Sequence, residues 1–356
     1  MTHRGPEVAS FFQDYFSDPK RRVLCVAGAG FDPRTCLVAQ KLAETRADVH
    51  ALLVRENRPE SDQDLAVLAE QNFETLKELF PRHDLIEVDI YDRDNKVIGG
   101  RRAAAQLNRL DLRQYDDIVV DISALSVGIS FPIIQFVITT LRPTPEINVH
   151  VLVAHQPEID ARIIATPTDA ISAVPGFAGR YGIVAGATPA KLWLPQLASN
   201  RVTTIRRLHD HIRPDEVCAI VPFPASHPRT GDALLEEFLD GGGMPWHIDA
   251  RSIVHADESD PLDLYRTIMR LYALREPVFR EVGVSHLILS PVGSKVMALG
   301  ALLAALEKNL PVMYLEDFSY SLAKPFDDAL DEPELLHIWL EGSPYPDDRP
   351  ALESTR

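Results

Sequence analysis

The chain has 356 residues, of which 46% are hydrophobic and 25% charged, a composition ordinary for one large or two medium globular domains. Its net charge is −16, so the chain lacks the excess of basic residues that binding to duplex nucleic acid requires, and long DNA or RNA is not an expected partner. The chain shows no membrane-spanning run, no signal-peptide core at its N-terminus and no CxxC pair among its three cysteines, so we expect a cytoplasmic protein without a thiolate metal site.

Apolar runs separated by helix-like segments occupy residues 1–155. The predicted strands are Arg22 to Ala27, Val49 to Val54, Leu85 to Ile90, Asp117 to Asp121 and Val149 to Val153. Continuous Val, Ile and Leu strands that alternate with helices favour a mostly parallel sheet covered on both faces. This segment is therefore predicted to be a first Rossmann-like half.

The rest of the chain divides by composition into three further segments. Residues 156–213 are rich in proline and glycine and are predicted to be an irregular connector that ends in a linking helix. Residues 214–325 are predicted to be a second Rossmann-like half, with strands at 217–221, 246–250, 287–290 and 312–315. Residues 326–356 form an acidic, proline-rich tail that we expect to be peripheral. The expected fold class is α/β, with two tandem Rossmann-like halves and an irregular middle.

A short element recurs after the first predicted strand of each half. Asp32-Pro33-Arg34-Thr35 is matched by His227-Pro228-Arg229-Thr230, and proline in the first turn is good helix-start chemistry. That chemistry does not explain why the arginines also recur. Arg34 and Arg229 either clamp an anionic ligand or pair with acids between the halves, and both interpretations stay open.

The first of these loops also contains Gly28-Ala29-Gly30, which invites a dinucleotide-binding interpretation. The fingerprint requires a third glycine where this chain has Pro33, although the acidic Glu56 does follow the second strand. A tight turn lets backbone N–H groups approach a phosphate, but it also serves as a strand-to-helix turn without any ligand.

The sharpest local signal is Gly293-Ser294-Lys295 after the strand that ends at Ser290. A hydroxyl and a lysine at a helix N-terminus suit an anion, although Ser294 also suits a simple helix cap. In the first half, the corresponding loop from Ser123 to Ser130 is rich in hydroxyls and lacks the lysine.

The loop Gly293-Ser294-Lys295-Val296-Met297 resembles the Gly-Gly-Thr-Lys-x-Met signature of CRISPR-associated Rossmann fold (CARF) domains, with Val292 in place of the first glycine. The doubled layout, over residues 20 to 318, resembles SAVED domains, which look like two fused CARF units. The resemblance implies a cyclic oligonucleotide ligand held by the loops after the first and fourth strands, and a role in prokaryotic antiviral defence.

The predicted function is therefore nucleotide recognition, with a separate effector chain and without a cofactor. The predicted ligand-binding residues are Gly28, Ala29, Gly30, Phe31, Arg34, Ser123, Ser126, Gly128, Ser226, Arg229, Gly293, Ser294 and Lys295. No GxSxG elbow or metal-like histidine cluster is present, and no catalytic residue is assigned. Two alternatives stay open: an enzyme acting on a nucleotide or nucleoside through Asp121 or Asp32, and a non-catalytic scaffold.

Overall fold

The computed structural model describes residues 1–60, 62–179, 190–240, 250–282, 285–326 and 331–345. The elements up to the fifth parallel strand are β1 (Thr2–Arg4), α1 (Pro6–Tyr15), β2 (Arg22–Gly28), α2 (Leu37–Ala43), β3 (Asp48–Asn57), α3 (Gln63–Leu79), β4 (His83–Asp89), α4 (Gly99–Leu107), β5 (Asp117–Asp121), α5 (Val127–Leu141) and β6 (Asn148–His155). No helix within these ranges is long and apolar enough to cross a membrane.

The remaining elements fill the second part of the chain. They are α6 (Pro157–Arg162), β7 (Ile163–Ala173), β8 (Ala190–Pro195), α7 (Val202–Ile212), β9 (Glu216–Val217), β10 (Ala219–Pro222), α8 (Thr230–Asp240), β11 (Ile253–Ala256), α9 (Pro261–Val282), β12 (Ser285–Ser290), α10 (Lys295–Lys308), β13 (Met313–Leu322) and β14 (Glu334–Glu341). The predicted α/β fold class is confirmed.

The first sheet has the strand order β1-β14-β6-β5-β2-β3-β4. The five strands from β6 to β4 are parallel, and β2 and β5 are buried along almost their whole length. Their continuous apolar sequences suit this position, because helices cover both faces of such a sheet. The predicted parallel half is therefore observed, with two antiparallel strands added at its β6 edge.

The second half repeats this order with shorter strands. β8 pairs in parallel with β12 on one side and with β9 on the other, and β10 pairs in parallel with β11. Single parallel bridges join Gln196 to Ile220 and Leu289 to Val312. If the strands of each half are numbered along the chain, those of the second half lie side by side in the order fifth (the segment at Val312), fourth, first, second and third. The first half has the same order.

This order corrects the alignment of the two halves that the sequence suggests. The counterpart of β2 is β8, which lies inside the predicted irregular connector, and the run Val217 to Val221 belongs to the second strand. The predicted strand from Trp246 to Ala250 falls almost entirely outside the described residues, and the third strand is β11. The sequence hides β8 because it is a six-residue strand in a region dense in proline and glycine.

The connector holds a second strand as well. β7 pairs antiparallel with β13 from Ile163 to Ala173, which makes a long two-stranded ribbon. β13 begins beside the fourth strand of the second half and then continues into this ribbon. The predicted irregular middle is therefore ordered into strands and helices over most of the part that the structure describes.

The predicted acidic tail also contains an integral strand. β14 pairs antiparallel with β6 from Glu334 to Glu341, and Leu336 and Ile338 are buried in the main core. The four central residues of β14 are all buried, and this burial holds the strand on the sheet despite the flanking acidic residues. The prediction that the tail is peripheral is wrong for this strand.

One hydrophobic core joins the two halves. Its largest cluster combines residues of the first sheet with residues of α10 and of strands β8 and β12. Helices α5 and α10, which follow the fourth strand of each half, are apolar around most of their circumference and contact each other. Both helices are therefore central to the molecule, and both begin at the same edge of their respective sheets.

Three histidines form a hydrogen-bonded chain beside the first sheet. His3 Nδ1 lies 2.8 Å from His337 Nδ1, and His337 Nε2 lies 2.9 Å from His150 Nδ1. His150 Nε2 lies 3.0 Å from Asp117 Oδ1. Because a neutral imidazole has one donor and one acceptor nitrogen, a single set of tautomers satisfies every contact. The chain connects β1, β14, β6 and β5.

We expect this histidine chain to make the protein acid-labile. Burial lowers the pKa of His150 and lowers that of His337 to about 2, from an ordinary value of 6.5 that holds in the unfolded chain. The stabilisation is therefore complete above pH 6.5 and is lost as the pH falls toward 2. At pH 5, we expect His337 alone to lower the free energy of unfolding by about 2 kcal/mol relative to pH 7.5, and urea denaturation at the two pH values measures this loss. If a His337→Phe variant lost the same unfolding free energy between pH 7.5 and pH 5, His337 would not be the cause of the acid lability.

Candidate functional site

A cavity of about 810 Å³ opens where the strands of both sheets end. Its walls come from the loop after β2, the ends of β3 and β13, the loop after β5, the loop after β8 and the loop after β12. Ligands of open α/β sheets bind outside the carboxyl ends of the strands, and here two such edges face one space. The cavity is therefore the candidate site.

Most of the predicted ligand-binding residues line this cavity. They are Ala29, Gly30, Phe31, Arg34, Ser123, Ser126, Gly293, Ser294 and Lys295. The structure thus brings together loops from both halves that the sequence suggested separately.

Gly28 and Gly128 do not line the cavity but allow its walls to pack closely. A Cβ at Gly28 would lie 2.9 Å from the carbonyl oxygen of Ala124. A Cβ at Gly128 would overlap the carboxylate of Glu316. Both glycines therefore act through the packing of the loops instead of through ligand contact.

Ser226 and Arg229 are predicted site residues that the structure places elsewhere. Both are exposed and outside the cavity lining. The backbone N–H and the hydroxyl of Ser226 donate to Glu258 at 2.8 and 3.0 Å. Their loop follows β10, a second strand, so it is not equivalent to the loop that holds Arg34.

The true counterpart of Arg34 is Arg201, which follows β8 and lines the cavity. Arg34 donates to Asp32 through Nε at 2.9 Å and Nη2 at 2.7 Å, and to Asp160 through Nη2 at 2.7 Å. Arg201 Nη1 donates to both carboxylate oxygens of Asp317, at 2.9 and 3.2 Å. Asp160 follows the fifth strand of the first half and Asp317 lies within β13, so each half pairs the arginine after its first strand with an aspartate in or after its fifth. The sequence signal for Arg201 was its place in a run of basic residues, which has the composition of a solvated helix face.

The two helix N-termini differ in how they are capped. In α10, the hydroxyl of Ser294 accepts from Met297 N at 3.3 Å. In α5, the hydroxyl of Ser126 has no hydrogen-bond partner, and Ser126 N donates to Glu56 Oε1 at 2.7 Å. Lys295 Nζ donates to the carbonyl of Leu125 in the opposite half, and burial lowers the pKa of this lysine. One lysine therefore reaches across to the loop that starts α5.

A buried cluster of charged side chains supports the α5 end of the cavity. Arg58 Nη2 donates to Glu56 Oε2 and to Glu316 Oε1, both at 2.8 Å. Burial raises the pKa of Glu316 to about 7. Both oxygens of Glu56 are thus engaged within the protein, so the group that the dinucleotide interpretation would assign to a ribose already has internal partners.

The acids considered for catalysis are also engaged. Asp121 is 2% exposed, does not line the cavity and accepts from the N–H and hydroxyl of Ser123 at 2.9 and 2.5 Å. Burial raises the pKa of Asp121 to about 7. Asp32 accepts three hydrogen bonds from Arg34. Neither carboxylate is presented toward the cavity as an unpaired acid or base.

Acidic groups outnumber basic ones in the lining, with nine Asp or Glu side chains and five Arg or Lys. Several of these acids form ion pairs with the arginines already described. Affinity for an anion at this site must therefore come from short-range donors, because the summed charge does not attract anions from a distance.

Comparisons with known proteins identify no family: no family model matches the chain, and no curated protein does. A solved structure described as a type III CRISPR defence DNA nuclease activated by cyclic oligoadenylate is similar at 12% identity, with a TM-score of 0.49. The similarity covers 85% of this chain and 66% of that one, just under two thirds of its length. An N-terminal ketoreductase from a macrolactin assembly line is similar at 8% identity, with a TM-score of 0.20, covering 88% of this chain and 72% of that one. Likeness at this level assigns no function.

Proposed function

We propose that this protein recognises a nucleotide in the cavity between its two halves. The observation that carries the proposal is the convergence of two fourth-strand loops, each starting a helix with a serine, on one cavity that Arg34 and Lys295 also line. Helix N-termini, hydroxyls and cationic side chains are the groups that proteins use to bind phosphate.

The mixed charge of the lining suits a nucleotide better than a simple anion. Phosphate oxygens would accept from helix N–H groups and from Lys295, while the carboxylates would accept from ribose hydroxyls and base amino groups. Because the affinity comes from short-range contacts, we expect it to depend only weakly on salt.

The finer proposal is a cyclic oligonucleotide ligand and a role as a sensor in prokaryotic defence. It follows the resemblance of the loop from Gly293 to Met297 to the CARF signature. The protein described as activated by cyclic oligoadenylate is a nuclease, whereas in this chain the acids considered for catalysis are engaged internally. We therefore propose that a separate chain acts as the effector.

Substitution of Lys295 tests this site directly. We expect Lys295→Ala to weaken nucleotide binding about tenfold or more, because a hydrogen bond from a charged donor is lost in a buried setting. Isothermal titration calorimetry with linear and cyclic oligonucleotides measures the affinity. Lys308→Ala is the matched control, because Lys308 lies at the other end of α10 and pairs with Glu307.

The result separates three functions. Binding that Lys308→Ala keeps and Lys295→Ala loses, with the ligand recovered unchanged by mass spectrometry, supports recognition. Conversion of the ligand would instead indicate an enzyme. Equal affinities of the two variants would mean that the ligand binds outside this cavity. Absence of binding by every linear and cyclic oligonucleotide would favour a scaffold.

A further inference from the structure

The two walls of the cavity carry different groups at equivalent positions. Arg34 and Arg201 are counterparts after the first strands, so the residue three positions earlier is Phe31 in one half and Ala198 in the other. Ser126 and Ser294 are counterparts at the helix starts. A ligand with two identical faces would therefore meet two different surfaces.

The first-half wall retains polar atoms that have no partner in the protein. Arg34 is 1% exposed and its Nη1 is unpaired, and Ser126 is 7% exposed with an unpaired hydroxyl. At the equivalent positions, the Ser294 hydroxyl caps α10 and Arg201 Nη1 binds Asp317. Both atoms are closed to solvent, and because buried polar atoms are rarely left unpaired, a small side-chain movement that opens them to the cavity would let a ligand oxygen pair with them.

An aromatic pair lines the same cavity as Arg34 and Ser126. The rings of Phe31 and Tyr320 lie 5.7 Å apart at 52°, and both residues line the cavity. The guanidinium of Arg58 lies 4.8 Å from the Tyr320 ring centroid and is itself held by Glu56 and Glu316. The Arg58 guanidinium thus restrains the Tyr320 ring, and an aromatic pair of this kind can stack a nucleobase.

Building on the proposed function, we propose that the first-half wall, together with Tyr320 of β13, recognises one nucleotide unit of the ligand and holds the ligand asymmetrically. The base of that unit stacks on Phe31 and Tyr320. A phosphate oxygen of the same unit accepts from Arg34 Nη1 and from the Ser126 hydroxyl. Lys295, which already reaches the Leu125 carbonyl of this loop, adds its charge beside the same phosphate.

Paired variants test the asymmetry with adenosine 5′-monophosphate and cyclic oligoadenylates as probes. We expect Phe31→Ala to weaken binding about tenfold or more and Ser126→Ala about fivefold, with the loss for Ser126→Ala at least about threefold larger than for Ser294→Ala. Phe223→Ala and Ser17→Ala are the matched controls, because both residues are exposed and lie outside the cavity lining. Thermal unfolding checks that every variant is folded.

Nuclear magnetic resonance supplies a readout of stacking that a structural role would not produce. The base protons of a bound probe should shift upfield with the wild-type protein and lose that shift with Phe31→Ala. Wild-type affinity in Phe31→Ala, or equal losses in Ser126→Ala and Ser294→Ala, would overturn the asymmetric mode while leaving nucleotide recognition standing. Absence of binding by every probe would overturn both.

Discussion

Replacing Asp117 by alanine should lower the free energy of unfolding by about 3–5 kcal/mol, the largest effect that we expect from a single side chain. The Asp117 carboxylate is fully buried and accepts from Tyr15 at 2.8 Å, Arg21 at 2.9 Å and His150 at 3.0 Å. Its removal leaves the Arg21 charge without its partner and breaks the histidine chain at its inner end. Urea denaturation at pH 7.5 measures the loss.

The adjacent residue provides the control. Asp116 pairs with Arg22 at 3.0 Å, and both side chains are about half exposed, so Asp116→Ala should change stability only slightly. The contrast between neighbouring aspartates isolates burial as the cause. Similar losses in the two variants would show that the buried network does not stabilise the fold in the way described.

Replacing Gly28 by alanine should abolish nucleotide binding and lower the free energy of unfolding by about 1–3 kcal/mol. The added Cβ would lie 2.9 Å from the carbonyl oxygen and 3.2 Å from the Cβ of Ala124, in the loop between β5 and α5. That loop must move away, and Ser126 and the start of α5 would move with it. Calorimetry measures the loss of affinity, and denaturation measures the loss of stability.

Gly30 serves as the stability control in the same loop. A Cβ there would lie 3.7 Å from the same carbonyl oxygen, an ordinary van der Waals distance. Gly30→Ala should therefore retain wild-type stability. Equal destabilisation by the two substitutions would indicate that the whole loop resists any side chain, and that close approach at Gly28 is not the cause.

The strands that were predictable are those that are buried on both faces and therefore have a continuous apolar sequence. β2 and β5 consist largely of Val, Leu, Ile and Ala, because both faces of the sheet are covered. β8 and β14 were missed for different reasons. β8 is short and follows a segment dense in glycine. β14 is an apolar run that His337 interrupts and that glutamates bound on both sides, so it does not stand out from the acidic segment around it.

The same dependence on local sequence explains why the sequence predicts Arg229, and not Arg201, as the counterpart of Arg34. The recurrence of Pro-Arg-Thr at 33–35 and 228–230 reflects helix-start chemistry, which any strand-to-helix loop can use. Equivalence of loops depends on strand order, and strand order became visible only when β8 took the central place in the second sheet. Arg34 and Arg201 both line the cavity, but only the topology shows that they are counterparts.

The central claim is that the cavity between the two halves binds a nucleotide. Calorimetric titration of the full chain with linear and cyclic oligonucleotides, at two salt concentrations, tests it most directly. We expect saturable one-to-one binding whose affinity changes little with salt and is lost in Lys295→Ala but kept in Lys308→Ala. Binding that persists unchanged in Lys295→Ala, or no binding by any nucleotide, would contradict it.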